Sequence, residues 1–289
     1  MSKPKVLVLR APGTNCDEET AFAFELVGAS AERVHVNRLL DNPRLLSDYQ
    51  IVCIPGGFSY GDDIAAGRIL ANAIMAKVAD ELRAFRDAGN LILGICNGFQ
   101  VLIKSGLLIE ASPNGFEATL AWNRSGRFED RWVHLSSGQS KCVFLQGVES
   151  LYLPVAHAEG RFVVNDENVF TRLSANGQVA LCYSLAAASA SAKQFATAAV
   201  NSGASNWGSE HALPCGVSDP YEILPFPHNP NGSMGNVAGL CDLTGRVFGL
   251  MPHPERFMDR TQHPHWTRLK EDNVGDGRMI FENAVRAFD

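Results

Sequence analysis

No apolar run in this 289-residue chain reaches the roughly 18 positions that a membrane-spanning helix requires. A basic, then apolar, then small-residue leader is also missing, because Lys3 to Arg10 reads immediately as a structural strand. Basic residues are in the minority: 25 Lys and Arg stand against 31 Asp and Glu, a net charge of -6. That is the wrong sign for a surface that must neutralise phosphates, so no nucleic acid and no membrane is expected as a partner. No C-x-x-C pair occurs among the seven cysteines, at 16, 53, 96, 142, 182, 215 and 241. Neither a zinc knuckle nor a disulfide framework is indicated, no metal site is expected, and a reducing cytoplasm fits best. In that compartment the sequons at Asn123 and Asn231 are incidental. A Walker-type phosphate loop is absent too, since Gly61 to Arg68 has the wrong spacing and lacks the lysine. There is no internal repeat.

What is present is the composition of a globular protein, 46% hydrophobic and 19% charged, long enough to fold without cross-links. Short apolar runs alternate with helical patterns. Lys5 to Leu9, Arg33 to Val36, Tyr49 to Ile54 and Leu91 to Ile95 read as strands, with helices around Phe22 to Val27 and from about Ile64 to Arg86. Such alternation predicts an α/β fold: an open, mostly parallel twisted sheet with helices on both faces. Further on, Phe116 to Trp122, Trp132 to Ser136, Cys142 to Leu145 and Leu151 to Ala156 read as extended segments between Gly, Asn and Ser turns. They predict an antiparallel β segment appended to the same sheet. An Ala-rich stretch followed by sequence of no period marks an insertion at about 185 to 225. Regular structure resumes at Ser233 to Cys241, strand Val247 to Met251 and a last helix from about Asp276 to Phe288. The whole reads as one domain, 1 to 289, carrying that insertion.

In open α/β sheets functional residues gather at the carboxyl ends of the strands, and three unusual segments fall there. Gly94-Ile95-Cys96-Asn97-Gly98 is G-x-C-x-G, the sulfur counterpart of a nucleophile elbow, in which small flanking residues let the chain turn sharply around the nucleophile. A helix N-terminus after it favours the thiolate. Met251-Pro252-His253-Pro254-Glu255 follows another strand, and each proline holds its predecessor extended, so His253 and Glu255 project to similar sides. That suits a general base with its orienting carboxylate. Pro55-Gly56-Gly57 supplies backbone amides for an anion, so Gly57 and Asn97 are expected to form an oxyanion hole.

Taken with APGTNCDEE at 11 to 19, PGGFSYGDD at 55 to 63, PVAHAEGRF at 154 to 162 and NPNGS at 229 to 233, these segments resemble the class I, triad-type glutamine amidotransferases. Within that family they resemble the branch of glutaminase subunits of phosphoribosylformylglycinamidine synthase. The resemblance implies a flavodoxin-like class I glutaminase fold and Cys96 as nucleophile, His253 as general base and acid, and Glu255 as its partner. It implies Gln100 as a ligand of the glutamine amino-acid moiety, and His157, Glu159 and Gly160 on a substrate-lining strand end. It further implies hydrolysis of L-glutamine to glutamate and ammonia through a γ-glutamyl thioester. The ammonia would pass to a large synthetase subunit, which rather than this chain would hold ATP and Mg, with a small bridging subunit, in purine biosynthesis. Cofactors within the chain are not expected. A glutaminase for another synthetase, a γ-glutamyl hydrolase and a silent synthetase-binding module stay open as alternatives. HAEG, where many relatives read HGEG, and the insertion are the departures.

Overall fold

The computed structural model describes residues 3–110, 112, 115–185, 221–268 and 274–289. Lys5–Arg10 (β1), Ser30–His35 (β2), Ile51–Ile54 (β3), Leu91–Ile95 (β4) and Val247–Leu250 (β11) form the parallel half of a nine-stranded sheet, in the spatial order β2-β1-β3-β4-β11. All residues of β3, β4 and β11 are buried, which is why these segments are continuous apolar runs without the alternation of a half-exposed strand. Asp17–Leu26 (α1) returns the chain from β1 to β2, and Arg68–Lys77 (α3) with Ala79–Asp87 (α4) returns it from β3 to β4. Asn97–Lys104 (α5) packs on β3, β4 and β11, while α1 meets the C-terminal helix Arg278–Arg286 (α7), so helices cover both faces. The short helix Val36–Asp41 (α2) follows β2 directly.

Beyond β11 the same sheet turns antiparallel. Val237–Cys241 (β10), Val179–Tyr183 (β9), Glu129–Ser137 (β6) and Ser150–His157 (β7) extend it in the order β10-β9-β6-β7. The appended antiparallel region is therefore present, and it holds the far wall of the site. Ala118–Trp122 (β5) stands apart from it, pairing with Glu159–Val164 (β8) as a separate two-stranded sheet. A helix at Glu167–Ala175 (α6), capped by the Asp166 side chain, completes the described elements.

Some expectations need correction. The helix read over 64 to 86 is two helices, broken at Val78, whose φ of -140° lies outside the helical region. The buried positions Ile74, Val78, Leu82 and Phe85 run straight through the break, so the apolar period stays helical across it and conceals it. Cys142 to Leu145 is a short 3-10 turn over Val143–Leu145 instead of a strand. The expected insertion at about 185 to 225 lies almost wholly outside the described residues. Cys16, Cys53, Cys96, Cys142 and Cys241 are free thiols, whereas Cys182 is disulfide-bonded, which the cysteine spacing did not indicate.

Candidate active site

The elbow is formed as its glycines require. Cys96 sits between β4 and α5 at φ 51°, ψ -103°, a backbone state that costs a non-glycine residue about 1–3 kcal/mol. Tertiary contacts hold it there: its N–H donates to the Leu250 carbonyl at 2.8 Å, and its own carbonyl accepts from Phe99 and Gln100 as α5 begins. A Cβ on Gly98 would lie 1.8 Å from the Ile54 carbonyl oxygen, and one on Gly94 2.7 Å from the Gly98 backbone. Both positions thus need glycine for the close crossing of β3, β4 and α5. Gly98→Ala is expected to destabilise the fold by about 1–3 kcal/mol or more, the usual cost of overpacking, measured as a lower urea midpoint at unchanged m value.

His253 lies beyond the end of β11, the neighbour of β4, so sheet pairing itself brings imidazole and thiol together. The His253 backbone N–H donates to Pro154 of β7 at 2.8 Å. Its Nδ1 meets Glu255 Oε1 at 2.7 Å, with both side chains buried. A carboxylate on Nδ1 fixes a proton there and directs Nε2 toward chemistry. Nε2 has no hydrogen bond among the described residues. Burial pulls the His253 pKa down, but the Glu255 carboxylate and the nearby Cys96 and Cys16 thiols outweigh it, leaving the group well above the ordinary histidine value. The Cys96 thiol is thus close enough to bias the ring's protonation. Cys96 Sγ points toward the Ala156 carbonyl at 3.7 Å, at the end of β7.

Of the two expected oxyanion donors, Asn97 directly follows the nucleophile, and Gly57 lies in the loop after β3, the sheet neighbour of β4. Asn97 is the first residue of α5, where a backbone N–H has no intrahelical acceptor. Gly57 adopts φ 132° and bridges to Thr14, and a Cβ there would sit 2.7 Å from the Asn15 nitrogen. Loop 57–67 is tied to α5 by side chains. Asn97 Nδ2 donates to Asp62 Oδ1 at 3.1 Å and to Gln100 Oε1 at 3.0 Å, while the Ser59 N–H donates to Asn97 Oδ1 at 3.3 Å. Gln100 Nε2 donates to the Glu159 carbonyl. Gln100 therefore spans from the elbow helix to β8, both ends of its amide engaged within the chain.

The segment expected to line the substrate closes the opposite side. His157 ends β7 and Glu159 begins β8. Glu159 Oε2 accepts from the Ala66 N–H at 3.3 Å and lies 3.8 Å from Lys104 Nζ. Gly160 must lack a side chain, since a Cβ would lie 2.5 Å from the His157 ring. Its carbonyl accepts from Asn231 Nδ2 at 2.8 Å, and the same amide donates to the Tyr183 hydroxyl at 3.0 Å. Ser233 Oγ accepts from the Phe162 N–H at 3.0 Å. The NPNGS segment is thus a buried polar clamp on β8. Both sequon asparagines, Asn123 and Asn231, are buried, with their amide groups committed to the fold.

Cys16, Asp62, Asn123 and Arg256 also belong to the site, although no local pattern in the sequence gives them a role there. Cys16 Sγ receives a hydrogen bond from Arg256 Nη2 at 3.2 Å, and Arg256 also pairs with Glu19 at 2.9 Å. Cys16, His253 and Glu255 place their donor atoms within 4.8 Å of one another. The Arg256 guanidinium on the sulfur and the imidazole–carboxylate bond already use that set, and an adjacent fixed cation opposes a metal ion there.

The model of the CobB/CobQ-like glutamine amidotransferase domain matches residues 3–206 and 222–288. The chain is 44% identical to phosphoribosylformylglycinamidine synthase subunit PurQ of Dehalococcoides mccartyi, over 99% of this chain and 98% of that one. It is 37% identical to the PurQ subunit of Methanococcus maripaludis, over 99% and 97%. A chain in the structure of PurLQS from Thermotoga maritima superposes on all of it with a TM-score of 0.67 at 28% identity, each chain covered in full.

Proposed function

Since the chain belongs to the CobB/CobQ-like glutamine amidotransferase family, in the branch of the PurQ subunits, we propose that it hydrolyses L-glutamine and feeds the ammonia to a synthetase making formylglycinamidine ribonucleotide. The observation that carries the chemistry is a cysteine at a left-handed bend beside a buried imidazole whose Nδ1 is held by a carboxylate. Cys96 passes its thiol proton to His253 Nε2 as Sγ attacks the side-chain amide carbon of glutamine, and the amides of Gly57 and Asn97 receive the oxygen as it becomes negative. Each such donor is worth on the order of 10²–10³ in rate. His253 Nε2 delivers a proton to the departing nitrogen, ammonia leaves, and a γ-glutamyl thioester remains on Cys96. Water then adds to the thioester with His253 as base, releasing glutamate and restoring the thiol. Gln100 holds the amino-acid end of the substrate, and His157, Glu159 and Gly160 lie on the strand end that lines it.

The chain acts as one amidotransferase domain with an insertion at 185–225, in the cytoplasm; no described helix is long and apolar enough to cross a membrane. It works with a large synthetase subunit, which holds ATP and Mg, and a small bridging subunit. Its likeness to a chain of the PurLQS structure supports such an assembly. The test is co-purification from the native host and assay of glutamate release with and without the bound subunit. Release from free glutamine, but not from γ-glutamyl peptides, is expected. Release from peptides alone would favour a γ-glutamyl hydrolase and overturn the reading.

A further inference from the structure

His157 is a buried acceptor with one ring nitrogen that no described residue uses. Its Nδ1 lies 3.0 Å from Asn123 Oδ1. The orientation of that amide is fixed from its other end, because Asn123 Nδ2 donates to the Arg127 carbonyl at 2.9 Å and to the His157 carbonyl at 2.7 Å. Oδ1 is therefore an acceptor, Nδ1 carries the hydrogen, and Nε2 of a neutral ring is a bare lone pair. That atom is fully buried with no hydrogen-bond partner among the described residues. Burial, reinforced by His253, pushes the His157 pKa down to about 3, so the ring stays neutral at any working pH. The ring rests over Gly160, where a Cβ would be 2.5 Å away. Ala156, the residue before it, faces the nucleophile through its carbonyl, 3.7 Å from Cys96 Sγ.

We propose that His157 Nε2 reads the carboxamide of the substrate, accepting a hydrogen bond from the glutamine side-chain NH₂ and opposing the carboxylate of glutamate at the same place. Resting on the glutaminase reading, this makes His157 a specificity-determining residue, with Asn123 as the residue that fixes its tautomer. A buried acceptor left unpaired is costly, so the free site is poised for a donor. The amide nitrogen of glutamine is a donor, whereas a carboxylate oxygen offers only lone pairs. The product is thereby destabilised where the substrate is held, and glutamate leaves after hydrolysis.

Two measurements test it. In the synthetase-bound enzyme, His157→Phe keeps a ring but removes the acceptor, and His157→Gln restores an acceptor oxygen. The kcat/KM for glutamine should fall about 10 to 100-fold in His157→Phe, the range of one lost hydrogen bond to a buried group, and recover in part in His157→Gln. The inhibition constant for glutamate should stay the same or fall. An equal weakening of glutamine and glutamate in both variants would show a structural role and overturn the proposal. Independently of any substitution at 157, imidazole ¹⁵N NMR of the full-length Cys96→Ala chain should show Nε2 of His157 unprotonated and shifted by glutamine but not by glutamate. A protonated Nε2, or one unmoved by saturating glutamine, would also overturn it. If the wild-type complex releases glutamate while His157 stays silent, only this inference fails. If it releases none, the glutaminase reading itself fails.

Discussion

Cys96→Ser is expected to lower glutamine-dependent synthesis by the assembled enzyme on the order of 10⁴-fold or more, the scale on which losing a nucleophile acts, while synthesis from added ammonium stays within about twofold. The separation follows from where the residue sits. Cys96 is a bend residue whose backbone bonds, to Leu250 and to the first turn of α5, do not involve sulfur. The hydrogen bond its thiol makes to the Ala156 carbonyl is long and weak, at 3.7 Å. A hydroxyl fits the same space, so the fold and any docking surface are kept, and only the intrinsic nucleophilicity of the thiolate is lost. Assaying the two nitrogen sources on one preparation is the check. Parallel loss of both would mean that Cys96 serves the architecture and the chemistry lies elsewhere.

The second large effect belongs to Glu255→Gln. Burial works against a charged imidazole at His253, and the Glu255 carboxylate is the leading contribution that reverses it. An amide in its place removes the charge and can present either end of its dipole to Nδ1, losing control of the tautomer. Glutaminase turnover should fall about 10³–10⁴-fold, as general acid–base help and ring orientation disappear together. A stability signature with a definite sign accompanies this. The folded-state pKa of His253 lies above its unfolded value of about 6.5, so between those two pH values the native protein binds more protons than the unfolded chain. Stability from the pair is full below about pH 6.5 and is lost as pH rises through the folded-state pKa. The Glu255→Gln protein should lack that alkaline decline. Urea midpoints of both proteins from pH 6 to 9 decide the matter, and an unaltered pH slope would remove the ion pair from the account.

The parts of this site that were legible in the sequence are those specified by neighbours in the chain. G-x-C-x-G is one turn, and its glycines are dictated by contacts with Ile54 and α5. His253 and Glu255 are two positions apart, and their 2.7 Å contact is set by the local Pro-His-Pro-Glu backbone. The continuous apolar strands β1, β3, β4 and β11 were equally plain, because burial on both faces leaves a one-dimensional mark. What escaped was set by tertiary pairing. Asn123 holds His157 across 34 positions and Asn231 holds Gly160 across 71. Neither leaves a period or a spacing, only asparagines of sequons read as incidental, Asn231 within the NPNGS segment. Cys16 and Arg256 meet across 240 positions, with no local sign of it. The split between α3 and α4 was hidden for a different reason: buried apolar residues continue at helical spacing through Val78, so the signal used to recognise a helix is also what masks its interruption.

The central claim is that a covalent γ-glutamyl group is carried on one particular sulfur. Acid quenching of the enzyme during turnover of isotopically labelled glutamine, followed by peptide mass spectrometry, tests this most directly. The account predicts the labelled glutamyl thioester on the peptide containing Cys96, and its disappearance in Cys96→Ser. Label on Cys16, the other free thiol beside His253, or steady glutamate release with no covalent adduct, would contradict it.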